Sequence, residues 1–299
     1  MKKNYKAYIA WLLLCIIWGT TYLAIKVGVS DLPPLLFAGF RWLIAGPIFL
    51  IILYFRKVEL PRLKDLKQIA IVGICLLGFG NGLVVTAEQW LPSGLTSLMF
   101  STLPFWVVLG ESLVPEGIKI NLKIVSGLVL GLSGVIIVIW KDLNLNQFEV
   151  SYYWGFIAAL GAMLFWAFGS VYSKYKAVKI NPLMSASIQM IIAGVAQTVL
   201  GLSLGEFAEF SFTTESLYAF LYLVFVASIF GYGSYIYAIS QLPVSFVSTY
   251  SYINPIIALI LGWFVLDEPL SIEILFAAVV ILLGVYLVKM GSIVNKVKN

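Results

Sequence analysis

The chain is written as long apolar runs separated by short polar stretches. A membrane span needs about 20 mostly apolar residues to cross roughly 30 Å of hydrocarbon. On that measure the pattern predicts ten spans, at 7–28, 33–55, 69–89, 92–113, 122–140, 153–174, 182–204, 216–238, 243–266 and 271–289. The first apolar run is too long for a cleavable signal, and a second follows at once, so it is expected to remain as a span. The expected fold class is all-α integral membrane, with ten transmembrane helices.

Two phrases recur along this pattern. "WLPSGLTSLMFSTLPFWVVL" runs from Trp90 to Leu109, and "QLPVSFVSTYSYINPIIALI" from Gln241 to Ile260. Pro92 and Pro243 stand 151 residues apart, as do Pro104 and Pro255. A second pair lies in the first and sixth spans: "CIIWGTTYLAIK" from Cys15 and "MLFWAFGSVYSK" from Met163. There Trp18 matches Trp166 and Lys26 matches Lys174, 148 residues apart. The spacing predicts two copies of a five-helix unit, residues 1–149 and 150–299. Five is odd, so the second copy enters the membrane from the opposite side. Transporters use such inverted repeats to build two related gates around one site.

The prolines gain meaning from the repeat. Pro92 and Pro243 open spans, where a missing N–H costs little. Pro104 and Pro255 fall mid-span, where proline removes a hydrogen bond and clashes with the carbonyl four residues back. The carbonyls freed are those of Phe100 and Ser251. An unpaired backbone group is costly in lipid, so such a site is expected to face protein, water or ligand. Pro104 and Pro255 are therefore candidate kink and gating residues.

Composition narrows the class. Of 299 residues, 61% are hydrophobic and 11% charged, which excludes a soluble globular domain. The net charge of +5 comes with a steep asymmetry, since 16 of the 19 Lys and Arg fall in loops on the N-terminal side. That bias predicts that both termini are cytoplasmic. The opposite loops are acidic, with Asp31, Glu206, Glu209, Asp267 and Glu268. The basic charge reads as an orientation signal, and no nucleic-acid partner is expected. Cys15 and Cys75 lie inside apolar runs and imply neither a disulfide nor a metal site. There is no His, no pair of carboxylates inside a span and no loop long enough for a catalytic domain. Catalytic residues, metals and cofactors are not expected, and the chain does not read as an enzyme. "GFGNG" lies inside a span with no Lys after it, so it is not a phosphate loop, and direct ATP drive is not indicated.

The span order together with "IIWGTTYLAIKVG", "FAGFRWLIAG", "FWAFGSVYSK" and "STYSYINPIIALILGWFVLDEPLS" resembles the drug/metabolite transporter superfamily. Within it the chain is similar to EamA-type exporters, and among those to the YedA-like drug/metabolite exporters. The most specific stretch is Ile253 to Ser271. The first copy departs from it, reading "VPEGIKI" with Gly117 near the place of Glu268-Pro269. The resemblance implies ten helices in two inverted repeats, a central cavity, and export of small metabolites such as amino acids.

Polar residues inside spans need a reason. Lys and Arg near a bilayer centre cost about 2.5–3.5 kcal/mol each. Arg41 lies roughly 12 Å from the outer end of its span at 1.5 Å per residue, too deep for easy snorkelling. It is expected to face the bundle, either in a structural pair or on a substrate. Lys26 and Glu88 share the same half of the bilayer, so a Lys26–Arg41–Glu88 charge network is expected. Glu111 is expected at the interface. The candidate substrate-binding set is Trp18, Tyr22, Asn81, Trp166, Gln189, Tyr235 and Asn254.

The function expected is that of a secondary transporter exporting small metabolites, with a small-molecule substrate and the lipid bilayer as partners. Proton coupling through Glu88 and facilitated diffusion both remain open. The alternatives are an uptake or organelle exchanger of the same fold, or a membrane-embedded enzyme or receptor subunit.

Overall fold

A computed structural model of the chain describes residues 5–115, 117, 119–144, 150–176 and 178–297. Among them the chain is helical and forms no strand. Its elements are α1 (Tyr5–Val29), α2 (Pro34–Phe55), α3 (Leu63–Trp90), α4 (Ser93–Ser112) and α5 (Leu122–Asn144). They continue with α6 (Val150–Tyr175), α7 (Pro182–Ser203), α8 (Thr214–Gln241), α9 (Tyr250–Leu266, entered through the short turn Val244–Val247) and α10 (Ile272–Val297). Seven of these, α1 to α4 and α6 to α8, are long and apolar enough to cross a membrane. The remaining three contain shorter apolar helices, Leu122–Gly134, Tyr250–Leu266 and Ile272–Val288. The boundary expected at 149/150 adjoins residues 145–149, outside the described residues, as are residues 116 and 118 of "VPEGIKI".

Local chemistry sets the helix ends. Pro34 and Pro182 sit in the first turns of α2 and α7, where no N–H partner is needed. Asn181 adds a side-chain cap to Leu183 N. Gly205 (φ 82°) turns the chain after α7, in the left-handed region that glycine enters without strain. Large apolar side chains such as Phe55, Phe230 and Phe264 remain exposed, as a lipid-facing surface requires.

The same contacts occur twice. Lys26 Nζ donates to the carbonyls of Glu88 (2.7 Å) and Leu91 (3.1 Å) at the end of α3. Lys174 Nζ donates to those of Ile239 (3.1 Å) and Leu242 (3.1 Å) at the end of α8. A cation on the last carbonyls of a helix satisfies groups that have no partner in the helix and opposes its dipole. The helix-crossing glycines pair in the same way. A methyl on Gly46 would lie 3.0 Å from Ile191 N of α7, and one on Gly194 2.8 Å from Leu43 N of α2.

Helices α3 and α8 each widen into a π-helical stretch, Ile74–Asn81 and Leu223–Tyr232. Such stretches offset a helix's register and leave carbonyls needing partners. Gln197 Nε2 donates to Leu77 O (3.0 Å) and Gly78 O (2.9 Å) in the first. Ser228 Oγ donates to Leu223 O (2.8 Å) in the second. Each stretch receives a tryptophan against a glycine: a Cβ on Gly80 would meet Trp166 Cε3 at 2.9 Å, and one on Gly231 would meet Trp18 Nε1 at 2.6 Å. "GFGNG" and "FGYGS" thus mark the seats of two matched tryptophans.

The breaks in α4 and ahead of α9 are less alike than the prolines. α4 is interrupted at Ser101–Thr102, two residues before Pro104. The other break is at Ser248–Thr249, and Pro255 lies inside the helix that follows. Hydroxyls mark both breaks by bonding back three residues: Ser101 Oγ to Leu98 O (2.6 Å), Thr102 Oγ1 to Met99 O (2.8 Å) and Thr249 Oγ1 to Phe246 O (2.7 Å). Such bonds compete with the helix for the backbone. Pro104 and Pro255 are both buried.

Candidate functional site

A cavity of about 40 Å³ lies where α1, α2, α3, α4, α6 and α9 converge. Its wall is aromatic, built from Trp18, Tyr22, Trp42, Phe100, Trp166 and Tyr250. Trp18 meets Trp166 edge-on with ring centres 5.3 Å apart, and meets Tyr250 at 5.1 Å. The tryptophan–glycine seats described above fix these rings by packing. The volume holds a few waters or a small polar head group, so a whole substrate requires the cavity to widen.

The polar part of the wall is Arg41, Asn81 and Thr21. The Arg41 guanidinium lies over the Trp42 ring at 4.3 Å, and its Nε donates to Ser228 Oγ (2.8 Å) on α8. These two contacts hold the fork in one orientation. Several buried atoms of the lining side chains have no partner among the described residues: the donors Arg41 Nη1 and Trp42 Nε1, and the acceptor Asn81 Oδ1; the Trp166 indole is turned to the Tyr235 hydroxyl. Buried polar atoms are nearly always paired, so a cluster of exceptions in one cavity marks a place for something polar.

The expected site residues divide. Trp18, Tyr22, Asn81 and Trp166 come together on the cavity wall. Gln189, Tyr235 and Asn254 do not line it, because their polar atoms are engaged elsewhere. Tyr235 backs Trp18 with rings 5.2 Å apart, and its hydroxyl pairs with Ser170 Oγ (2.6 Å). Asn254, with its amide nitrogen turned inward, donates to Cys15 O (3.0 Å) and Tyr250 O (3.1 Å) and joins α9 to α1. Gln189 accepts from the Tyr232 hydroxyl (2.6 Å) and donates to Ser185 Oγ (3.0 Å). It lines a second cavity of about 260 Å³ between α6, α7 and α8, which also contains Lys174 and Ser240. Tyr232 links the two spaces, since its ring lies 6.0 Å from that of Trp42.

Of the expected charge network, Lys26 and Glu88 lie beside each other, whereas Arg41 makes its contacts with Ser228, which the π-helical stretch of α8 carries, and with Trp42. Lys26 reaches the main chain of Glu88, while both Glu88 carboxylate oxygens are buried without a hydrogen bond among the described residues. Glu111, expected at the interface, lies one residue from the end of α4, where it is buried and accepts from the Tyr175 hydroxyl at 3.4 Å. Glu268, in "LDEPLS", was not among the expected site residues. Its carboxylate accepts from Ser93 N (2.7 Å), Ser93 Oγ (2.9 Å) and Gly94 N (3.1 Å), clasping the start of α4. An acidic residue in the turn that closes the stretch Ile253 to Ser271 was the available signal. Arg41, expected either in a structural pair or on a substrate, lies on the cavity wall and forms no ion pair among the described residues.

The EamA-like transporter family model matches the chain twice, over residues 5–140 and 153–290. The uncharacterized inner membrane transporter YedA of Escherichia coli is 36% identical over 282 residues, covering 92% of this chain and 90% of that protein. The uncharacterized transporter YoaV of Bacillus subtilis is 30% identical over 276 residues, covering 91% and 92%. A protein of Salmonella typhimurium named a probable amino-acid metabolite efflux pump is 28% identical over 305 residues, covering 95% of each. A solved crystal structure, 18% identical with a TM-score of 0.70, shares the fold over 96% of this chain and 98% of its own. With the family matched in both halves and such relatives along nearly its full length, the chain belongs to the EamA-like transporter family and is a multi-pass membrane transporter, not an enzyme.

Proposed function

We propose that this chain is a secondary transporter that exports small metabolites such as amino acids across the cytoplasmic membrane by alternating access. The observation that carries the reading is the central cavity, with its aromatic wall and its buried polar atoms awaiting partners. A resemblance to a probable amino-acid metabolite efflux pump supports the cargo class. The shorter helices α5, α9 and α10 also cross the bilayer, giving ten spans. Residues 1–149 and 150–299 form two inverted five-helix repeats, a view supported by the contacts that recur at offsets of 148 and 151. Both termini are cytoplasmic. Trp18, Tyr22, Asn81 and Trp166 hold the substrate, and Tyr235 positions Trp18. Gln189 and Tyr232 separate the cavity from the second, cytoplasm-facing one. The breaks near Pro104 and Pro255 let the half-helices tilt as access alternates.

The test is a comparison of the small metabolites released into the medium by cells with and without the chain. Export predicts that one or more amino acids accumulate outside only when it is present, and that Pro255→Ala abolishes this while membrane insertion persists. Identical media would overturn the reading. Orientation is checked by cysteines at Ser211 and Lys64. The first should label from outside intact cells and the second should not.

A further inference from the structure

The two copies differ at one pair of positions. α2 and α7 align at an offset of 148 through Ala45-Gly46 and Ala193-Gly194, which sets Gln189 in the place of Arg41. α3 and α8 align at 151 through "FGNG" and "FGYG", which sets Tyr232 in the place of Asn81. In the second copy the pair closes on itself, with Tyr232 donating to Gln189 at 2.6 Å. In the first copy neither closes: Arg41 Nη1 and Asn81 Oδ1 are both buried without a partner, and both residues line the central cavity.

Arg41 is only 3% exposed. Its single hydrogen bond goes to a neutral hydroxyl, and no carboxylate pairs with it among the described residues. A guanidinium taken out of water without an anion is strongly disfavoured, so such a site calls for one from outside the chain. Arg41 is the one cation among the described residues lining the cavity, which suits a monoanion better than a phosphate dianion. Asn81 Oδ1 adds an acceptor beside aromatic faces, which suits an ammonium.

We propose that Arg41 anchors the carboxylate of the transported compound and that Asn81 receives its ammonium. The cargo class is then the free α-amino acid, with both groups required. This assignment rests on the reading of the cavity as the transport site. Ser228 and Trp42 act as positioning residues that hold the guanidinium fork.

The test uses the purified full chain and measures thermal stabilisation and tryptophan quenching. The probes are L-alanine, L-leucine and L-phenylalanine, each beside its amide and its decarboxylated amine. At least one amino acid should bind at least tenfold more tightly than its amide or amine. Arg41→Gln should bring the acid and the amide to equal affinity, and Asn81→Ala should weaken the acid, the amide and the amine alike. Equal binding of acid and amide by the unaltered chain overturns the proposal, as does binding by no member of the panel or an undiminished preference in Arg41→Gln. If Arg41→Gln fails to fold, Ser228→Ala, which releases the guanidinium fork, is measured in its place, and an undiminished preference there, or unchanged affinity for the acid in Asn81→Ala, overturns the proposal. Counterflow in proteoliposomes separates the two layers of the reading. Equal rates for acid and amide remove the anchor and leave the transporter. Arg41-dependent binding of the acid with no counterflow keeps the anchor and removes the transport reading.

Discussion

Lys26 and Lys174 do the same work at the ends of α3 and α8, whereas Arg41 and Gln189, equally matched in position, do not. The two copies keep identical chemistry where the contact holds helices together: the lysine caps, the crossing glycines, and the tryptophans seated on Gly80 and Gly231. They diverge where side chains reach the centre. There the Gln189–Tyr232 pair of the second copy closes on itself, whereas Arg41 Nη1 and Asn81 Oδ1 of the first have no partner among the described residues. The two matched halves share a scaffold, and the first carries a buried charge on the cavity wall where the second carries an amide. A buried polar pair that is complete stabilises, and an incomplete one is a binding site or a defect.

The scaffold half of the comparison breaks most visibly at the glycine seats. Gly80→Leu and Gly231→Leu each drive a side chain into a buried tryptophan with no room to yield. Each should cost about 3 kcal/mol, the upper range for overpacking, and sharply reduce monodisperse protein on size-exclusion chromatography. The two losses should be alike. If one variant folded normally, the seats would not be equivalent.

The divergent half predicts opposite signs. Arg41→Met replaces an unpaired buried cation by an apolar side chain of similar length. It should raise stability by about 2 kcal/mol while abolishing transport. Gln189→Met strands the Tyr232 hydroxyl and should lower stability by about 2 kcal/mol. Thermal midpoints with a transport assay decide between them. A loss of stability in Arg41→Met would mean that the guanidinium has a structural role outweighing its burial.

Much of the fold was legible because spans and repeats are written in patterns that survive without tertiary information. Among the described residues, the apolar runs placed the seven helices long enough to cross a membrane to within six residues, and the three shorter apolar helices fall in the other expected runs. The offsets of 148 and 151 named the lysine and tryptophan pairs that the structure shows in matched contacts. The site was only half legible. Trp18 and Trp166 could be chosen because they recur, and Asn81 because it is polar in a span. Gln189 and Asn254 met the same criterion yet were spent on Tyr232 and on the carbonyls of Cys15 and Tyr250. A sequence says that a polar atom is buried, but not whether a neighbouring helix satisfies it. The π-helical stretches were illegible for a related reason. Their glycines are those of any close helix packing, and the extra residue per turn follows from tryptophans on another helix.

The smallest effect separates the two lysine caps. At the position that Ile239 occupies in the second copy, the first has Glu88, fully buried with neither carboxylate oxygen hydrogen-bonded. Lys26 therefore does two things: it caps the end of α3 and it is the cation acting on a stranded carboxylate. Lys26→Met removes both, and should cost about 1 kcal/mol more than the loss of a helix cap alone. Glu88→Ile turns the first copy into the second at this point, so in that background Lys26→Met should cost only the cap. A double-mutant cycle in thermal unfolding measures the difference directly. A coupling near zero would show that Lys26 serves the backbone only, and that Glu88 draws nothing from the charge beside it. A coupling of about 1 kcal/mol would locate a second charge-bearing difference between the copies, at the end of α3, to set beside Arg41.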